Sequence, residues 1–191
     1  MSLDFLTDDL LIKNNSFDGP VVVTGAAGCI AAWVLTILHR SNIPCIAIDL
    51  TDNKNRLELL LGNETNKIDW KVCDITHLEK LSKIITSFKP SAIIHLAGLQ
   101  VPFCAENPAL GARVNVEGTI NILEIARKTN IKRTVYASSV AALGLPPNGP
   151  WKETLYGAYK LANEHTAFVY WSDWQVPSIG IRPNIVSVSY T

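Results

Sequence analysis

From Val21 to Leu35 the chain reads VVVTGAAGCIAAWVL: a β-branched run, two glycines set among small residues, and then a long apolar stretch. A glycine costs backbone entropy and adds no side chain to a core, so Gly25 and Gly28 need a reason other than packing. The pattern reads as a strand that ends in a tight loop, followed at once by a helix. The first amides of a helix lack intrahelical partners, and the helix dipole adds partial positive charge there, so a phosphate satisfies both. Gly25 then permits the turn, Gly28 lets a pyrophosphate approach the backbone, and Ala31 is small enough for helix to pack on strand. Short glycine patterns also recur by chance, so a dinucleotide loop and an ordinary strand-to-helix turn both stay open on this stretch alone.

The rest of the chain constrains the choice. Strand-like runs are expected at 21–24, 44–49, 68–73, 92–96, 134–138 and 178–182, with helices between them at 29–39, 54–61, 77–88, 108–128 and 156–171. The runs are short and apolar on both faces, as parallel strands buried between helices are. Repeated strand–helix alternation predicts an α/β fold with a doubly wound parallel sheet. The segment 143–153, LGLPPNGPWKE, reads as a loop, and 1–19 as a short amphipathic preface ending in the turn signal DGP. A length of 191 residues suits one domain, here 20–191 after the preface.

Seventeen Lys and Arg balance seventeen Asp and Glu, so no basic field calls for nucleic acid or an anionic membrane. Cys29, Cys45, Cys73 and Cys104 have apolar neighbours and no metal-ligand spacing; no metal is expected, and they read as buried free thiols in a reducing compartment. The N-terminus MSLDFLTDDLLIKNN lacks the features of a signal peptide, and no apolar run is long enough to span a bilayer. A soluble cytoplasmic protein is the expectation.

Several side chains suggest chemistry. Asp49 ends the second strand run, where a carboxylate can accept hydrogen bonds from an adenosine ribose and repel a 2′-phosphate. Lys54 and Arg56 follow it closely and leave tolerance of NADP open. Asp74 either faces an adenine or caps the helix after it. Tyr156 and Lys160 stand one helical turn apart on one face, and an ammonium near a phenol lowers its pKa from about 10 toward a useful acid/base range. Tyr159 points elsewhere and reads as packing. Ser138 and Ser139 end the fifth strand run, where a doubly wound sheet binds ligands; either can hold a substrate oxygen or cap the strand end.

In this order, TGAAGCI (24–30), IIHLAG (93–98), NVEGTINILEIA (115–126), SSVAALG (138–144), YGAYKLANE (156–164) and GIRPNIV (180–186) resemble the extended short-chain dehydrogenase/reductase family, the NAD-dependent epimerase/dehydratases. The resemblance implies a Rossmann fold, strand order 3-2-1-4-5-6, with NAD along the strand ends. It makes Tyr156 the acid/base, Lys160 its tuner and a ribose ligand, and Ser139, by its spacing to Gly144, the catalytic serine. Gly25, Ala27, Gly28, Cys29, Ile30, Asp49, Asp74, Ile75, Leu96, Ala97, Gly98, Asn115, Tyr156 and Lys160 would contact the cofactor. Asn115 would brace the end of the fourth strand, and His95 reads as structural. The implied substrate is a nucleotide sugar or related polyol, handled by a homodimer. Family members usually continue past the RP strand into a small substrate region, so that region is expected to be missing or truncated; the Tyr-Gly-Pro usual after RPxxV is replaced by SVSYT, and the stretch from Ser139 to Tyr156 is short for the class. A non-catalytic NAD-binding module is the alternative to an enzyme.

Overall fold

The computed structural model describes residues 8–12, 17–144 and 153–184. Six parallel strands, β1 (Val21–Thr24), β2 (Cys45–Asp49), β3 (Asp69–Val72), β4 (Ala92–His95), β5 (Thr134–Ala137) and β6 (Ser178–Ile181), form one sheet in the order β3-β2-β1-β4-β5-β6. The expected order 3-2-1-4-5-6 is the observed one. The order reverses between β1 and β4, the switch point at which such sheets bind ligands.

Side chains alternate across the sheet and create two cores. Val22, Ile46, Ile48 and Ile93 point to one face, beneath α3 (Leu78–Phe88), α6 (Gly118–Thr129) and α7 (Leu155–Trp174). Val21, Val23, Ala47 and Ala92 point to the other, beneath α1 (Cys29–Arg40) and α2 (Asn55–Leu61). All four residues of β1 are buried, as a central parallel strand requires. The outer strands differ from the expectation of two buried faces: β3 keeps Asp69 and Val72 exposed, and β6 exposes Ile179, Gly180 and Ile181, because each pairs on one side only among the described residues.

The single helix expected over 108–128 is three pieces. The preceding α4 (Val101–Glu106) was not anticipated; α5 (Pro108–Ala112) leads into a π-helical turn at Arg113–Glu117, and α6 follows. Asn107 separates α4 from α5: its side chain accepts a hydrogen bond from the Leu110 amide, and Pro108 takes the first helical position, where a missing N–H costs nothing. The π turn adds one residue to the hydrogen-bonded ring, which rotates the side chains beyond it. A 3-10 segment at Gly62–Lys67 extends α2, and a 3-10 turn at Val140–Leu143 begins the expected loop; residues 145–152 of that loop lie outside the described ones. All four cysteines are free, but Cys29 and Cys45 are only half-buried, while Cys73 and Cys104 are buried as expected.

Candidate functional site

The loop after β1 needs Gly25 twice over. Its φ is +71°, a region that strains a side chain, and a Cβ placed there would lie 2.5 Å from the Ala97 nitrogen and 2.7 Å from its Cα. The segment leaving β4 therefore crosses directly over the loop. Gly28 is the N-cap of α1, and no side chain caps the amides that follow it, so Cys29 and Ile30 open the helix with backbone donors directed to the loop. Ala31 is buried against the sheet, as its small size suggests.

Ala27 is held from both sides. Its amide donates to Asp49 Oδ2 at 3.0 Å, and its carbonyl accepts from Arg56 Nη1 at 3.0 Å. Asp49 Oδ1 accepts from the Thr51 amide at 3.3 Å. The strand-end acid thus fixes the shape of the glycine loop, while Lys54 stacks over Trp70 and pairs with Asp52. Asp74 does not cap α3; that position is held by His77, and the Asp74 carboxylate closes a turn on Thr76 by accepting from both its amide and its hydroxyl at 2.8 Å.

One cleft of about 720 Å³ runs along the strand ends. Gly25, Gly28, Cys29, Ile30, Asp49, Asp74, Ile75, Leu96, Ala97, Gly98, Ser139 and Tyr156 all line it. Ala27, Asn115 and Lys160 do not; they stand behind the wall and hold it. Leu99 and Gln100 before α4, Val101 and Pro102 at its start and Leu110 of α5 form a largely apolar stretch of the same wall. Pro102 is the sequence signal that could have found α4, since proline favours the first turn of a helix.

At the other end of the cleft, Ser139 caps the 3-10 turn by accepting from the Ala141 amide at 3.1 Å, and its side chain is hydrogen-bonded to the Tyr156 phenol. Ser138 is buried and donates instead to Glu164, which also accepts a two-pronged contact from Arg182. Of the two serines, only Ser139 faces the cleft. Gly157 allows α7 to sit on this turn, since a Cβ there would lie 2.5 Å from the Ala141 carbonyl oxygen. Tyr159 donates to the Pro108 carbonyl at 2.9 Å and braces α5 on α7.

The expected lowering of the Tyr156 phenol is not found. Burial pushes it above its ordinary value, and the hydrogen bond from Ser139 offsets only part of this. The reason is geometric. Lys160 lies 5.5 Å from the centre of the tyrosine ring and gives its ammonium to the Ala137 carbonyl at 2.7 Å. Burial in turn pulls Lys160 down to about 8. Asn115 also differs from expectation: it braces not the end of β4 but the backbone past it, through Leu99 N to Oδ1 at 3.2 Å and Nδ2 to Leu99 O at 3.1 Å. His95 is buried between Thr24 and Thr119, and desolvation drives it down to about 3, so it is a neutral packing element.

The residues present suit a dinucleotide: a backbone donor nest at a helix start, an acid at the next strand end and the Ser139–Tyr156 pair share one cleft, with Lys160 behind its wall. Comparison with known proteins agrees. The profile of the NAD dependent epimerase/dehydratase family matches residues 21–187. UDP-glucose 4-epimerase 2 of Oryza sativa subsp. japonica is 30% identical over 157 residues, 75% of this chain and 38% of that protein. The crystal structure of UDP-glucose 4-epimerase from Brucella ovis in complex with NAD is 25% identical with a TM-score of 0.73, over 86% of this chain and 51% of that one. L-threonine dehydrogenase from Clostridium difficile is 26% identical with a TM-score of 0.71, over 86% and 52%. The chain thus spans about half, or less, of the length of these relatives.

Proposed function

The chain belongs to the NAD-dependent epimerase/dehydratase family, its cofactor is NAD, and from that premise we propose that it is the cofactor-binding and proton-transferring part of an oxidoreductase acting on a hydroxyl carbon of a nucleotide sugar or related polyol. The observation that carries the reading is the single cleft joining the Gly25 loop to Ser139 and Tyr156. Bound NAD supplies the acceptor for the hydride. The Cys29 and Ile30 amides, with Gly28 before them, hold its phosphates, and Asp49 keeps the loop in the shape that presents those amides.

Tyr156, ionised in the reacting complex, takes the hydroxyl proton at its phenolate oxygen and becomes the neutral phenol. Ser139, bonded to that phenol, orients the substrate oxygen and lowers the cost of the phenolate. Lys160 supplies the positive charge beside the ring. Its bond to Ala137 holds the ammonium beside Tyr156, and a nicotinamide ribose would be a second partner for it. The reading extends to a cytoplasmic homodimer. Four free thiols suit a reducing compartment, and Leu161 and Phe168 form outward apolar positions on α7 that a second copy would cover.

The test is a titration of the purified chain with NAD(H) followed by tryptophan fluorescence, then product analysis with UDP-sugars and with L-threonine. Saturable NAD(H) binding together with conversion of a UDP-sugar supports the reading. Absence of NAD(H) binding overturns it. Binding with no turnover on either substrate class makes the chain a non-catalytic NAD-binding module, and turnover of L-threonine alone replaces the sugar with an amino-acid alcohol.

A further inference from the structure

Beneath the cleft lies a buried polar network whose residues do not line it. The π turn exposes the Asn115 carbonyl to two side chains: Thr119 Oγ1 donates to it at 2.7 Å, and Asn163 Nδ2 at 2.9 Å. With the Thr119 proton so used, His95 Nε2–H donates to Thr119 at 3.1 Å, and His95 Nδ1 accepts from Thr24 at 2.7 Å. The Asn115 side chain is fully engaged as well. Besides Leu99, its Nδ2 reaches the Gly111 carbonyl at 3.1 Å and Cys104 Sγ at 3.3 Å.

Asn163 is the odd member. It is 1% exposed, it sits on α7 one turn after Lys160, and its Oδ1 has no hydrogen-bond partner among the described residues. Reversing the amide would set Oδ1 against the Asn115 carbonyl, so the donor must point as it does. A buried acceptor without a partner is costly. An apolar residue there would avoid that cost and would lose only one of the two donors to Asn115. The bond that Asn163 does make joins α7 to the π turn.

We propose that Asn163 is a positioning residue, which docks α7 on the π turn so that Asn115 clamps the Gly98–Leu99 backbone beside Lys160. The geometry at Gly98 shows how tight the placement is: a Cβ there would lie 2.7 Å from Asn115 Oδ1 and 3.5 Å from Lys160 Nζ. The wall of the cleft and the lysine are therefore set against each other through Asn115. Four groups surround the ammonium: the Ala137 carbonyl from β5, His95 from β4, Cys104 from α4 and the Tyr156 ring from α7. A shift of α7 on the π turn changes the first three distances at once, while the Tyr156 ring travels with the lysine. The importance of Lys160 here rests on the proposed function; the placement of Leu99 does not.

The experiment compares the wild-type chain with Asn163→Ala by three measurements: thermal melting, amide hydrogen exchange at Leu99, and NMR titration of the Lys160 ε-carbon. The expected result is a melting temperature within a few degrees of wild type, exchange at Leu99 faster by about tenfold, and a Lys160 midpoint displaced upward as water enters beside it. Affinity for NAD should fall by about three- to tenfold. Where Asn163→Ala fails to fold, Asn163→Ser, which keeps a donor on a shorter arm, carries the same measurements. A folded variant whose Leu99 exchange and Lys160 midpoint both match wild type overturns the proposal. If the wild-type chain binds no NAD yet exchange at Leu99 still accelerates in the variant, the functional reading falls and the positioning role stands.

Discussion

At the Gly25 end of the cleft the ligand-facing groups belong to the backbone, while at the Tyr156 end they are side chains drawn from several elements. The loop end takes its shape from a positive φ at Gly25, an uncapped helix start at Gly28 and one carboxylate, Asp49, all within the first two strands and the helix between them. The other end needs β5 for the Ala137 carbonyl, a 3-10 turn for Ser139, α7 for Tyr156 and Lys160, and a π turn behind them for Asn115. The difference teaches where each end is vulnerable. The first breaks by a change in local backbone; the second breaks when helices shift against one another.

The largest effect should fall on chemistry alone. Tyr156→Phe removes the phenol oxygen and leaves the loop untouched, so turnover should drop by about 10²–10⁴-fold. NAD affinity should change less than about twofold, since the loop supplies the phosphate contacts. A loss of turnover below tenfold, or an equal loss in Tyr159→Phe, would show that the catalytic end is not centred on Tyr156.

Gly25→Ala should break the other end. The backbone strain of a positive φ alone costs about 1–3 kcal/mol, and the contact with Ala97 adds to it. Urea unfolding should show the loss, and NAD affinity should fall with it. A variant as stable as wild type would mean that the loop and the segment after β4 separate easily.

Asp49→Ala tests whether the strand-end acid acts through the loop. It removes the acceptor for the Ala27 amide and should weaken NAD by about tenfold, or about 1.4 kcal/mol. The preference for NAD over NADP should narrow at the same time. An unchanged NAD affinity with a narrowed preference would confine Asp49 to repelling the 2′-phosphate.

The pH dependence belongs to the buried end. His95 is held down from its usual 6.5 to about 3, so the unfolded chain binds a proton in that window and the folded chain does not. Stability should therefore fall as pH drops from 6.5 toward 3, and His95→Gln should flatten the slope. Lys160 is lowered from 10.5 to about 8, so the same logic makes stability rise as pH increases between 8 and 10.5. In Lys160→Met that rise should shrink. Melting temperatures across both windows check the two signs, and the loop variants should leave both slopes as they are.

How much of this was legible in the chain follows the same division. The strand positions, the loop and the strand-end acid were readable because they depend on short-range pattern: β-branched runs, a glycine at a forced turn, a carboxylate where a strand stops; the strand order came only with the family resemblance. Tyr156 and Lys160 were readable for the same reason, since their spacing is one helical turn. Pro102 carried a signal for the start of α4, yet a helix of 6 residues is too short to show a hydrophobic period. The π turn at Arg113–Glu117 carried no local signal at all.

The sequence by itself determined a doubly wound sheet, the glycine loop at its switch point and which residue types stand at the strand ends, because periodicity and turn chemistry act over a few residues. The resemblance had already favoured Ser139 over Ser138, and the cleft agrees; only the tertiary structure decided that Asp74 closes a turn on Thr76. Only it decided that Asn115 grips Leu99 and that burial raises Tyr156 while Lys160 turns to Ala137. Those outcomes depend on which carbonyls, hydroxyls and low-dielectric surfaces distant segments bring together, and no spacing along one chain encodes that competition.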